Sequence, residues 1–198
     1  MAQSYETREQ WLESAADYLY TDLIGELGHL PKGKGWQVSC GWPSTRSQSS
    51  KRRRIGECWH PESCDDKKTA HIFVSPALVD PVEVLSTLLH ELIHAICGNE
   101  AGHKGPFKRV AVAVGLEGKM TATTAGEELT KRLNALSKTL GKYPHSALKG
   151  INRKKKQSTR MVKIVAKSCC GYVCRTTRKW IESEGLPECP HGEAMSEA

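Results

Sequence analysis

The chain has 198 residues, of which 29 are basic and 22 acidic, for a formal charge of +7; 38% is hydrophobic and only 6% aromatic. That size and composition predict one medium domain with room for a small appendage. Its most apolar stretch, Pro76 to Gly98, is interrupted by Asp80, Glu83, His90, Glu91 and His94, which excludes a membrane-spanning helix.

The opening residues carry Glu6, Glu9, Glu13 and Asp17 where a secretory signal would be basic and then apolar, so the expected location is cytoplasmic. Leu12, Ala15, Ala16, Leu19, Leu23 and Leu27 recur at helical spacing behind a Thr7/Gln10 capping-box pattern, predicting an amphipathic helix from about residue 8 to 27. Trp36, Val38, Cys40 and Trp42 then alternate with small or polar residues. With Ile55 to Trp59 and His71 to Ser75 they predict a small antiparallel sheet. Asp80, Pro81 and Glu83 start a helix that Gly98 closes, and Val84, Leu85, Leu88, Leu89, Leu92 and Ile93 make it a core helix. A further helix is expected from Phe107 to near Gly115. Another is expected with Thr124 and Glu127 as its cap, Leu129 to Leu140 as its apolar stripe and Gly141 as its stop.

The charge is unevenly placed. Residues 31–56 hold seven basic and no acidic side chains, and residues 146–167 hold eight and none, leaving 14 basic and 22 acidic in the other 150. Two acid-free basic blocks on an acidic body suggest a polyanion partner, most simply nucleic acid. The first block contains Arg52, Arg53 and Arg54 in a Ser-rich loop. The second contains Lys154, Lys155 and Lys156 and reads as a linker. The expected organisation is a body over 1–145, a basic linker over 146–162 and a small module over 163–198.

On the core helix the polar residues read His90-Glu91-Leu92-Ile93-His94. Residues at i and i+4 project from one face a turn apart, so both imidazoles reach one ion while Glu91 serves its water. From this chain's composition the pattern is expected by chance about 0.03 times. A catalytic zinc takes three protein ligands and an open position. His103, nine residues past His94 and behind Gly98 and Gly102, leads as the third; Glu100 and Cys97 are rivals. His71, on a strand upstream, is a candidate for supporting the site or facing substrate, against a purely structural role.

These residues, with Gly105-Pro106-Phe107 following, resemble the SprT-like metalloprotease family, which includes bacterial SprT proteins and the DNA–protein crosslink protease Spartan. The Ile55 to Trp59 and Ile72 to Pro76 segments are similar to those of compact phage and bacterial members. Lys104, inserted between His103 and Gly105, departs from the pattern, and the spacing differs from that of metzincins. The resemblance implies an α+β, zincin-like domain whose catalytic zinc is held by His90, His94 and His103. It also implies Glu91 as the proton-transferring residue and, as substrates, proteins bound or crosslinked to DNA.

Near the C-terminus Cys169-Cys170-Gly171-Tyr172-Val173-Cys174 and, after 14 intervening residues, Cys189-Pro190-His191-Gly192 look like the two knuckles of a zinc ribbon. Lys167 stands where the first ribbon cysteine is usual, and His191 where a cysteine is common. The ligand set expected for a second, structural zinc is Cys170, Cys174, Cys189 and His191, with Cys169 as substitute. Arg175, Arg178, Lys179 and Trp180 between the knuckles form a strand-like basic and aromatic run suited to phosphates and an unpaired base. Two functions follow from the sequence: a zinc metallopeptidase acting on protein substrates at nucleic acid, and a nucleic-acid-binding protein whose metal is structural.

Overall fold

The computed structural model describes residues 3–27, 35–49, 52–149 and 161–198, an α+β architecture. The chain divides into two compact units, Met1–Gly150 and Ile151–Ala198. Among the described residues no helix is long and apolar enough to cross a membrane.

Helix α1 (Arg8–Leu19) begins with the expected capping box: Gln10 N–H donates to Thr7 Oγ1 and Gln10 Oε1 accepts from Thr7 N–H, each at 3.2 Å. It buries Trp11, Leu12, Ala15, Ala16 and Leu19. The winding then changes. Residues Tyr20–Ile24 form a π-helical turn and Gly25–Leu27 a 3-10 turn, so the single α-helix expected to residue 27 ends at Leu19. The chain stays helical because Leu23 and Ile24 still bury.

Strands β1 (Gly35–Cys40), β2 (Gly56–Trp59) and β3 (Thr69–Val74) form one sheet in the order β1-β3-β2. The sheet is mixed, not antiparallel as its sequence suggests: β1 runs parallel to β3, and β2 antiparallel to it. Each strand does reverse the one before it in sequence. Because β3 inserts between the other two, however, it lies beside a strand of its own direction. Side-chain alternation sends Val38, Ala70, Ile72 and Val74 into the core.

Helix α2 (Pro81–Cys97) crosses that core. The Asp80 carboxylate accepts from Glu83 N–H at 2.9 Å, and Gly98, at φ +81°, ends the helix in a conformation favouring glycine. Helix α3 (Gly105–Ala113) buries Phe107, Val110 and Ala111. A hairpin of β4 (Leu116–Lys119) and β5 (Ala122–Ala125) follows, where no strand was expected. It takes Thr124 out of its expected capping role, so Gly126 caps α4 (Glu127–Leu140). The α4 stripe of Leu129, Leu133 and Leu140 closes the core, and Trp11 Nε1 donates to Gly141 O at 3.2 Å.

In the second unit β6 (Met161–Val165) pairs with β7 (Val173–Thr177), short helix α5 (Arg178–Glu184) follows, and β8 (Ser196–Glu197) returns to β6. Ile164, Ala166, Cys189 and Met195 form its small core.

Candidate metal centre

The two helical histidines lie one turn apart on α2, with ring centroids 5.0 Å apart. His103 returns to them through three local turns: Gly98, a 3-10 turn (Asn99–Ala101), and Gly102 at φ +48°. Its Nε2 lies 3.1 Å from His94 Nε2. One ligand atom from each of His90, His94 and His103 falls within 4.8 Å of the others. Glu100 and Cys97 are not in that group; Glu100 is exposed on the 3-10 turn.

Two residues outside the expected ligand set hold these rings. Thr123 Oγ1, on β5, lies 2.8 Å from His90 Nδ1, which leaves Nε2 as the free nitrogen of that imidazole. Only the Ala122-Thr123-Thr124 run beside Gly118 signals a strand there, and the expectation at Thr124 was a helix cap. Phe107, fully buried, touches all three imidazoles. Its ring is stacked on His94 at 4.3 Å and meets His90 and His103 at 4.9 and 5.1 Å between centroids.

Burial governs the protonation of the cluster. It lowers His90 to about 4, helped by His103, and lowers His94 to about 3, helped by the other two histidines; His103 is also lowered, by burial and then by Arg54. Neutral imidazoles are the form that binds a metal. Glu91, only 7% exposed, is pushed up to about 8 by burial, against the pull of Arg54. Gly56 on β2 backs it closely: a Cβ there would meet Glu91 Oε1 at 2.5 Å and Thr87 Cγ2 at 2.8 Å.

His71 points the other way. It alternates with the core residues Ala70 and Ile72, so it lies on the outer sheet face and does not support the histidine cluster.

In the second unit the turn after β6 and the Cys189 turn bring together Cys169, Cys170, Cys189 and His191. Cys169 Sγ is 3.5 Å from His191 Nδ1 and 3.9 Å from Cys189 Sγ, and His191 N–H donates to Cys189 Sγ at 3.4 Å. Cys174, expected in this set, is replaced by Cys169. It sits within β7 opposite Ile164 and packs on the unit's small core, while Cys169 and Cys170 ride on the turn. Burial acts to raise the Cys189 thiol, but the His191 and Glu193 backbone N–H groups and its neighbouring thiols outweigh it and lower the pKa.

Of the expected nucleic-acid contacts, Arg52 and Arg53 are exposed, whereas Arg54 pairs with Glu57 Oε1 at 2.5 Å. Lys154, Lys155 and Lys156 lie outside the described residues. Arg175 is exposed on β7. Arg178 is held by both carboxylate oxygens of Glu197, at 2.6 and 2.9 Å, so its charge is already paired. Lys179 and Trp180 are exposed, but on α5 and not on a strand.

Comparisons with protein-family models, curated proteins and solved structures found no match to this chain.

Proposed function

We propose that the chain is a zinc metallopeptidase with a zincin-like, SprT-like catalytic unit and a zinc-ribbon-like C-terminal unit, acting on proteins bound or crosslinked to DNA. The observation that carries the reading is the convergence of His90, His94 and His103 beside the buried Glu91 of the same helix.

The donor set fits zinc. Two imidazole nitrogens on a tetrahedral zinc stand about 3.3 Å apart, and His94 Nε2 and His103 Nε2 stand at 3.1 Å. Three neutral nitrogens leave one tetrahedral position for water or substrate. The Cys169, Cys170, Cys189 and His191 set fits a closed structural zinc.

His90, His94 and His103 would hold the catalytic ion, which supplies Lewis acidity that polarises a scissile carbonyl and acidifies water. Thr123 fixes the His90 ring, and Phe107 fills the space behind all three rings, keeping water from that side. Glu91 takes a proton from the attacking water as its oxygen bonds to the carbonyl carbon. It then gives that proton to the amide nitrogen as the C–N bond breaks.

The test is cleavage of an unstructured protein by the full chain before chelation, after it, and after zinc is restored. Loss on chelation, recovery with zinc and absence in His103→Ala are expected. Cleavage that survives complete zinc removal overturns the reading. The second Cys/His set, with Arg175, Lys179 and Trp180 exposed in the same unit, favours the alternative, a nucleic-acid-binding protein with structural metal only. Tight DNA binding with no cleavage by the zinc-loaded chain selects that alternative.

A further inference from the structure

The outer face of the β1-β3-β2 sheet carries a groove that the metal centre does not use. Strand alternation builds it. Ala70, Ile72 and Val74 turn into the core and Gly56 turns toward Glu91, which leaves His71 and Phe73, and their cross-strand partners Trp59 and Glu57, on the other side. With Trp42 these residues line an open groove of about 460 Å³.

The groove is fixed from one point. Glu57 accepts from Ser44 N–H and Ser44 Oγ at 2.7 Å each, from Arg54 Nη1 at 2.5 Å and from Trp59 Nε1 at 3.2 Å. Its charge is therefore met by Arg54, and the Trp59 indole is pinned by its polar edge while the side chain stays 44% exposed. The same bonds tie both ends of the 44–54 segment to the groove. That segment has no acidic residue, and its exposed Arg46, Arg52 and Arg53 lie within two residues of Ser44 or Arg54, the two ends that Glu57 holds.

Aromatic rings stack on unpaired bases, and free guanidinium groups beside them meet phosphates. A duplex has its bases already stacked on one another. A proline-rich peptide would use the rings and leave the arginines without partners, and an acidic peptide would use the arginines and not the rings. We infer that the groove binds single-stranded DNA, with Trp59 and Trp42 stacking on bases and Arg52 and Arg53 taking phosphates. The inference names the contact surface for the nucleic-acid part of the proposed function, and it does not depend on peptide cleavage. A strand bound there lies on the reverse of β2, whose Gly56 abuts Glu91.

The experiment measures binding of a fluorescent oligo-dT 20-mer to the full chain by anisotropy across a salt series. A 5-iododeoxyuridine version is photocrosslinked and mapped by mass spectrometry. Trp59→Ala should weaken binding about ten-fold with the salt slope unchanged, and Trp59→Phe should recover most of it. Arg52→Ala with Arg53→Ala should lower the slope by about 1.4. Crosslinks should fall on Trp42, Trp59 or Phe73. Unchanged binding by a folded Trp59→Ala chain, with every crosslink between residues 161 and 198, overturns the inference. So does equal competition by polyglutamate, or a proline-rich peptide that protects Trp59 when the oligonucleotide does not. Because the readout is binding, a failure of the peptidase reading leaves this result standing, and the converse holds too.

Discussion

Thr123 Oγ1 lies 2.8 Å from His90 Nδ1, tying the β4-β5 hairpin to the first histidine of α2. A ligand ring held through its second nitrogen presents its first in a fixed direction, and losing such a partner typically costs 10- to 100-fold in metal affinity. Thr123→Val keeps the shape and removes the hydroxyl oxygen. It should weaken zinc binding by about 10-fold or more in competition with a chromogenic chelator, with little change in melting temperature of the chelated protein.

Gly56 is the point where β2 and Glu91 meet most closely, with a Cβ placed at 2.5 Å from Glu91 Oε1 and 2.8 Å from its Cγ. Gly56→Ala must displace the carboxylate or the strand, at about 1–3 kcal/mol of overpacking. Turnover should fall far more than zinc content, since the three histidines are untouched. Urea melts and metal analysis of the same sample read the two effects separately.

In the second unit the atoms that could hold a metal ion belong to Cys169, Cys170, Cys189 and His191. Cys169→Ser should remove one zinc per chain, whereas Cys174→Ser should keep it and only loosen the small core around Ile164. Elemental analysis of the purified variants distinguishes them.

After chelation, acid and base act on the fold through opposite groups. His90 and His94 fall to about 4 and about 3 from 6.5 because they are buried. The unfolded chain then binds protons first, so stability is lost as pH drops below about 6.5. Glu91 is raised to about 8 from 4.5, so its contribution is full below 4.5 and is lost as pH rises through 8. Up to about pH 6.5 the two histidines outweigh the one carboxyl, and above it the carboxyl wins, so these groups place the stability maximum near pH 6.5. Thermal melts of the chelated protein across pH 4 to 9 check it; a maximum above pH 8 would count against the burial of Glu91.

The parts legible in the sequence are those set by local signals. Helix α2 was readable because Asp80, Pro81 and Gly98 mark its ends and its apolar residues leave only His90, Glu91 and His94 to explain. The Thr7 and Gln10 box placed the start of α1 in the same way. What was not legible depends on contacts distant in sequence. Whether β3 joins the edge or the middle of the sheet is decided by core packing, which alternation along one strand does not encode. Thr123 meets His90 across 33 positions, through a hairpin too short and too alanine-rich to stand out. Between Cys174, which the sequence prefers, and its substitute Cys169, spacing alone does not decide. Only the pairing of β6 with β7 turns Cys174 toward the core and leaves Cys169 on the turn.

The most direct measurement sets wild type against Glu91→Gln, both loaded with zinc, in cleavage of an unstructured protein with metal content determined on the same samples. The account predicts equal zinc, an unchanged fold and a loss of turnover of about 10²- to 10⁴-fold, the usual contribution of a proton-transferring residue. Cleavage by Glu91→Gln at the wild-type rate would contradict it.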